Sequence, residues 1–299
     1  MFDVAVILIN YNSSKYTLQC IDAVIKHTNK SNSYQIIVVD NCSKTLDYKN
    51  LESNFPIATN IILHRSEINT GFGGGNMMGA KLANANYLLF LNNDAFLLND
   101  CIAILKSYSE SHPKVGVTTA QNYDEHGKFV PSFDHNKGIR RLLFGRGFLE
   151  AINSKRYPNR NKEYSTPITV DWVNGAFLFF KTSVFKKIGG FDTSIFLYWE
   201  EMDICERLRK HNFTAALVPE ARITHIQGVS IGTSKAINME SYISYLYVVK
   251  KHFGNFRYLL IKNYLSLLFL FKKKKSYLRP TILNENRMDN SLRYKQTKP

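Results

Sequence analysis

Apolar residues recur along the first hundred positions as short unbroken runs: "VAVILI" (4–9), "QIIVVD" (35–40), "ATNIILH" (58–64) and "YLLFLNND" (87–94). Runs of strand length without alternation suit strands buried on both faces of a parallel sheet. A helical stretch from about Lys15 to His27, and a helix around Asn76–Ala85 after a glycine-rich turn, fall between them. This alternation predicts an α/β fold, a mostly parallel central sheet with helices on both faces. The pattern then loosens. A helix near Cys101–Glu110 and the strand "VGVTTA" (115–120) precede a polar, basic stretch over 122–166, which reads as a functional loop, a lid or partial disorder. Order returns with "ITVDWVNGAFLFFK" (168–181), an acid-rich helix at 199–210 and two strands, "TAALVP" (214–219) and "ARITHI" (221–226). The end reads as a helical extension, "MESYISYLYVVKKHF" followed by "FRYLLIKNYLSLLFLFKKKK".

In such sheets ligands bind beyond the carboxyl ends of the strands. There the apolar runs break into Asn10-Tyr11-Asn12, Asp40-Asn41 and Asn92-Asn93-Asp94. Turn chemistry explains any one of these, whereas three at one sheet edge point to a shared ligand site. Asp40 could accept hydrogen bonds from a base or ribose, and Asp94 offers a hard oxygen to Mg²⁺ or Mn²⁺. "NTGFGGGNMMGA" (69–80) lets backbone approach a ligand but is neither G-x-G-x-x-G nor a P-loop, which argues against a nicotinamide or ATP site.

The acid-rich segment "FLYWEEMDICERLRK" (196–210) separates by helical geometry. Asp203–Arg207 and Glu206–Lys210 are i,i+4 pairs, and Glu200 shares a face with Asp203 and Arg207. Glu201 instead falls on the stripe of Ile204, Cys205 and Leu208. A carboxylate there is costly unless it faces a cleft, where its pKa would rise toward that of a general base.

Net charge is +15, and residues 250–299 carry 13 Lys/Arg against 2 Asp/Glu, or +11 of it. Lysines 272–275 directly follow an aromatic-rich apolar helix. That arrangement favours an anionic membrane surface over nucleic acid, the alternative being a helix packed on the domain with solvated lysines. The run 258–271 is too short and interrupted for a membrane span. Cys20, Cys42, Cys101 and Cys205 lack zinc or C-x-x-C spacing and read as reduced, and the N-terminus reads as a strand rather than a signal peptide, so a cytoplasmic location is expected.

Across residues 3–232 the chain resembles the inverting glycosyltransferases of family 2, of the GT-A (Rossmann-like) fold, and their bacterial rhamnosyltransferase-like branch. The resemblance rests on the order of "VILINYN", "VVDNCS", "NTGFGGGNMMGA", "LFLNND", "VNGAFLFFKTSVFKKIGGFD", "FLYWEEMDICERLRK" and "HIQGVS". It implies that residues 1–98 form a nucleotide-sugar-binding half, 99–235 an acceptor and catalytic half, and 236–299 a basic helical extension. It assigns Asn10, Tyr11, Asn12 and Asp40 to the nucleotide, with Asn69, Gly71, Phe72, Gly74 and Asn76 lining its other side. Asn92, Asn93 and Asp94 stand at the family's D-x-D motif with its last acid alone kept, and His225 matches a histidine used at the diphosphate and metal. Gly175 and Ala176 match a turn beneath the donor sugar. Trp172, Asn174, Trp199, Glu200 and Asp203 join them in the donor and acceptor pocket. Glu201 takes the position of the base, usually Asp. The implied cofactor is Mg²⁺ or Mn²⁺, the donor dTDP-rhamnose or else a UDP-hexose, and the acceptor a glycan or lipid-linked glycan at the inner face of the cell membrane. A nucleotidyltransferase would carry a glycine-rich, arginine-containing loop after the first strand, where this chain has Asn10-Tyr11-Asn12-Ser13. A non-catalytic membrane scaffold is a third reading, opposed by the retained Asp94, Glu201 and His225.

Overall fold

The computed structural model describes residues 1–29, 31–136, 138–226, 234–284 and 287–294. Residues 227–230 of the "HIQGVS" motif, with Lys295 and Lys298 of the basic tail, lie outside them. The chain begins β1 (Phe2–Asn10), α1 (Ser14–His27), β2 (Tyr34–Asp40), α2 (Thr45–Ser53), β3 (Ile61–Arg65), α3 (Gly71–Leu82), β4 (Ala85–Asn92), β5 (Ala95–Leu97) and α4 (Cys101–Ser111). It continues with β6 (Val115–Tyr123), β7 (Phe129–Val130), β8 (Phe133–Asp134), α5 (Ile139–Phe144), α6 (Arg146–Ile152), β9 (Ile168–Val170), β10 (Trp172–Val173), β11 (Phe177–Lys181) and α7 (Thr182–Lys187). Then come α8 (Glu200–Lys210), β12 (Thr214–His225), α9 (Lys235–Phe271), α10 (Arg279–Leu283) and short 3₁₀ turns.

The sheet runs β3-β2-β1-β4-β11-β6-β12-β5. Its first four strands are parallel, β11 lies antiparallel between β4 and β6, and β12 is parallel to β6. The register sets Asn10 beside Asp40 and Ile9 beside Asn92, so three polar strand ends share one edge. Both faces are covered, as unbroken apolar strands require. Val4, Val6 and Leu8 pack with Cys20, Ile21 and Val24 of α1 and Ile102 and Leu105 of α4. Ala5 and Ile7 pack on the other face with α3, α7 and α8.

Three expectations change. The glycine-rich segment does not merely precede α3; it is the first two turns of it. A Cβ at Gly79 would stand 2.4 Å from Ile7 Cγ2, so small residues let this helix lie against β1. The basic stretch 122–166 contains β7, β8, α5 and α6, because Asp134 gathers the guanidinia of Arg141 (2.8 Å), Arg146 (3.0 Å) and Arg160 (2.8 Å). Strands 214–219 and 221–226 are one strand, whose register against β6 shifts between Val218 and Arg222. The two C-terminal helices expected from the sequence meet within α9 at a kink at Gly254 (φ 81°), a left-handed backbone that glycine adopts freely. No described helix is long and apolar enough to cross a membrane.

Candidate active site

The polar ends of β1, β2 and β4 form a dense network. Asn10 Nδ2 donates to Asp40 Oδ1 (2.8 Å), Ser43 Oγ (3.0 Å) and Asp47 Oδ2 (2.9 Å), and its Oδ1 accepts from Thr17 Oγ1 (2.8 Å). Asp40 also accepts from the Ser43 amide (3.2 Å) and lies 3.7 Å from Arg65 Nε. Asn93 Nδ2 donates to Ser13 Oγ (2.6 Å) and Thr17 Oγ1 (2.8 Å), and Asn76 Nδ2 to Phe72 O (3.0 Å). Asn10, Asp40, Asn76 and Asn93 are thus buried and committed to one another, to neighbouring side chains of Ser13, Thr17, Ser43 and Asp47, or to backbone. Tyr11 and Asn12 stay exposed, while Asn69, Phe72 and Asn92 are half-buried.

Asn41, which the sequence places with Asp40 at a polar strand end facing a shared ligand site, is committed to the loop before α3. Its Nδ2 donates to Asn69 Oδ1 (3.0 Å) and Gly71 O (3.1 Å), and its Oδ1 accepts from the Thr70 amide (3.0 Å), fixing the entry to α3. Gly71 sits at φ 74°, where a Cβ would lie 2.0 Å from Phe196 O. The same Phe196 carbonyl accepts from the Phe72 amide (3.0 Å), which joins the start of α3 to the segment before α8. At Gly74 a Cβ would lie 2.6 Å from Thr70 Cβ, within the same turn.

Beyond β4, Asp94 Oδ1 lies 3.3 Å from His225 Nε2, and Asn92 Nδ2 lies 3.5 Å from that nitrogen. Pairing of β5 with β12, with His225 opposite Ala95, brings them together. Both Asp94 and His225 are buried, and His225 Nδ1 has no hydrogen-bond partner among the described residues. One carboxylate and one imidazole suit a divalent ion that takes its remaining ligands from a diphosphate and water. Among the described residues no three or more His, Cys, Asp or Glu side chains gather as a metal site.

The turn Asn174-Gly175-Ala176 links this edge to α8. The Asn92 amide donates to Ala176 O (2.9 Å), and the Gly175 amide donates to Glu201 Oε1 (2.9 Å). A Cβ on Gly175 would sit 2.2 Å from that oxygen, so the glycine gives the carboxylate its place. Glu201 lines a cavity of about 280 Å³ with Phe133, Asp134, Arg160, Trp172 and Asn174. Tyr198, Trp199 and Ser241 complete its wall. Burial raises the Glu201 pKa above the usual glutamate range.

The residues around Glu201 divide differently from the expected ionic face. Glu200 is buried, with Oε1 unpartnered among the described residues, and burial followed by the neighbouring Glu201 charge raises its pKa well above the ordinary value. Among the described residues it joins no ion pair, and it stands outside the cavity lining because α8 turns it inward. Asp203 is fully buried and also off the cavity. It meets Arg207 (2.7 Å), His252 Nε2 (2.7 Å) and Lys251 (2.6 Å). Burial opposes its charge, but the His252 hydrogen bond and the Arg207 and Lys251 charges outweigh burial and hold the carboxyl well below its usual range. Glu206 pairs with Arg209 rather than Lys210; Lys210 points to solvent, while Arg209 also donates to Asp171 O.

Tyr198 (φ 68°) and Trp199 (φ 71°) take consecutive left-handed conformations just before α8. Such non-glycine geometry costs on the order of 1–3 kcal/mol per residue and needs outside support. Helix α9 supplies it: Trp199 Nε1 donates to Ser241 Oγ (3.1 Å), Ser244 Oγ donates to Leu197 O (2.9 Å), and the Tyr245 ring packs at a tilt of 43° against Trp199, centroids 4.7 Å apart. Sequence reading missed Phe133, Asp134, Arg160, Tyr198 and Ser241 as cavity residues. The one available signal was an isolated acid, Asp134, within a basic stretch.

The family model for glycosyl transferase family 2 matches residues 5–189. The chain is 28% identical over 162 residues to rhamnosyltransferase WbbL of Escherichia coli, covering 52% of this chain and 60% of that one. It is 31% identical over 90 residues to the N-acetylglucosaminyl-diphospho-decaprenol L-rhamnosyltransferase of Mycobacterium tuberculosis, 29% of each chain. The match therefore spans less than two thirds of either rhamnosyltransferase. A longer match, 24% identical over 294 residues and covering 94% of this chain and 89% of the other, is to the low-salt glycan biosynthesis hexosyltransferase Agl10 of Haloferax volcanii. Among solved structures, GalNAc-T7 with UDP, GalNAc and Mn²⁺ superimposes with a TM-score of 0.59 at 16% identity, covering 84% of this chain and 48% of that one. The sheet, its helices and this neighbour establish the GT-A fold. The chain belongs to glycosyl transferase family 2.

Proposed function

We propose that this chain transfers a sugar, with inversion, from a nucleotide-diphosphate donor to a hydroxyl of a glycan or lipid-linked glycan acceptor, Glu201 being the general base. The observation that carries the reading is the Glu201 carboxylate at the cavity wall, held 2.9 Å from the Gly175 amide on the turn bonded to the metal-side strand β4. Inverting transfer is one displacement at the anomeric carbon. The acceptor oxygen attacks from the face opposite the diphosphate, and a base takes its proton as the bond forms. Trp172 and Trp199, with ring centroids 6.3 Å apart, give the cavity apolar walls suited to sugar C–H faces, and Asn174 adds a hydrogen-bonding group. Glu201 fits the proton transfer because burial leaves its carboxylate more basic than an exposed glutamate.

The donor nucleotide lies along the edge of β1, β2 and β4. Tyr11, Asn12, Asn69 and Phe72 face it, while buried Asn10, Asp40, Asn76 and Asn93 hold that edge in shape, assisted by Gly71 and Gly74. Asp94 and His225 would hold Mg²⁺ or Mn²⁺, which when bound supplies positive charge against the departing diphosphate. Glu200 and Asp203 set the position of α8 rather than touching the acceptor. The donor is dTDP-rhamnose by likeness to the two rhamnosyltransferases, and the long match to a hexosyltransferase keeps UDP-hexoses as the second reading. The enzyme works at the cytoplasmic face of the cell membrane, the lysines at 272–275 meeting anionic lipid. Donor turnover measured over dTDP-rhamnose, UDP-glucose, UDP-galactose and UDP-GlcNAc, with and without Mn²⁺, tests this reading. Metal-stimulated turnover of one donor is expected. No turnover or binding of any donor would refute it.

A further inference from the structure

We infer that α5–α6 and the part of α9 beyond Gly254 form one membrane-seating platform beside the cavity, its partner being an anionic bilayer. The inference deepens the membrane-surface reading above, which assigned that contact to the C-terminal helix. On α5, Ile139 and Leu142 turn inward onto the α9 cluster, and Tyr264 Oη of α9 donates to Leu142 O (3.0 Å). The opposite side of this pair of short helices is bare. Leu143, Phe144, Phe148 and Ile152 are 43–65% exposed, with the two phenyl rings 4.8 Å apart.

Helix α9 continues the patch. At 100° per residue, positions 260, 264, 267 and 271 form one stripe. Tyr264 is its contact with α5, and Leu260, Leu267 and Phe271 beside it are exposed, Phe271 at 83%. Apolar surface gathered from two elements this way marks an interaction site rather than scattered exposed leucines.

Charge selects the occupant. Of the six Lys/Arg in residues 138–160, Arg141, Arg146 and Arg160 pair with Asp134 and Arg156 with Asp171, which leaves the exposed Arg140 and Lys155 as the cations beside this face. Lysines 272–275, all exposed, end the α9 stripe. An apolar face rimmed by cations suits acyl chains beneath acidic headgroups, whereas a protein partner would have to supply matching acids. The same hairpin reaches the cavity, since Arg141 and Arg146 hold Asp134, which lines it with Arg160 and Glu201. The platform therefore sets the cavity mouth near the depth at which a lipid-linked hydroxyl would arrive.

The test is co-sedimentation of the full chain with vesicles of 30% phosphatidylglycerol in phosphatidylcholine, and with phosphatidylcholine alone. A variant carrying Leu143→Gln, Phe144→Gln, Phe148→Gln and Ile152→Gln changes exposed side chains only, and its melting curve reports folding. Wild type should bind the anionic vesicles, and the folded variant should bind them at least tenfold more weakly, with donor hydrolysis in free solution unchanged. Phe148→Trp should gain fluorescence quenching by brominated acyl chains over wild type. Equal vesicle binding by the folded quadruple variant and wild type would overturn the inference. So would light scattering that shows a wild-type dimer and a monomeric variant, which would give the face to a second copy. Donor hydrolysis is read without vesicles, so a failed catalytic reading stays distinguishable from a failed platform.

Discussion

Gly175 and Glu201 act as a pair at the scale of single residues. A methyl on Gly175 would occupy the position of Glu201 Oε1, the movable end of a flexible side chain. Gly175→Ala should therefore fold and melt like wild type yet lose at least tenfold in kcat, measured by donor turnover in saturating acceptor. Glu200 answers to pH instead. Its folded pKa is raised by burial, then by Glu201, so its contribution to stability is full below the unfolded value and is lost as pH rises through the folded one. Glu200→Gln should melt higher than wild type near pH 8, by roughly 1 kcal/mol, with the difference vanishing near pH 4. Parallel melting curves across that range would contradict the burial of a charged-form-averse acid. Sequence periodicity separated Glu201 from Asp203 because their neighbours at i+3 and i+4 differ. It misassigned Glu200, since burial of α8 from the α9 side has no local signature.

At the scale of elements, α8 depends on α9. Asp203 is met by Arg207 on its own helix and by Lys251 and His252 from α9, and Asp192 accepts from Tyr247 (2.8 Å) and Lys251 (2.7 Å). Removing one partner of a buried ionic cluster leaves uncompensated charge, typically at a cost of about 3–5 kcal/mol. Asp203→Ala should lower chemical-denaturation stability by that order, while Lys210→Ala, on the solvent side, should change it little. The wild-type contribution of Asp203 is present above its unfolded pKa and fades only in strong acid, where its depressed folded pKa is crossed. Strand and helix order was legible in the sequence through unbroken apolar runs and helical stripes. The small elements between β6 and β9 were not, because they rest on Asp134 and arginines 7, 12 and 26 positions beyond it, an irregular spacing that carries no periodic signal.

Over the whole molecule, the sheet edge, the Gly175 turn and α8 form one continuous arrangement. It passes from Asp94 and His225 through Asn92 and Ala176 to Glu201. The polar strand ends were visible as abrupt breaks in apolar runs, but their division into buried ties and exposed contacts depends on packing between strands. With Glu201 as the proposed base, which must be ionised and whose pKa burial raises, the acid limb of the rate profile should lie above the ordinary glutamate value. Activity should rise with pH through that limb. The most direct test of the account is Glu201→Gln, assayed for transfer and for donor binding in the same preparation. Donor affinity should persist while kcat falls by about 10²–10⁴-fold, as loss of a general base dictates. Turnover near wild type from the folded variant would contradict the assignment.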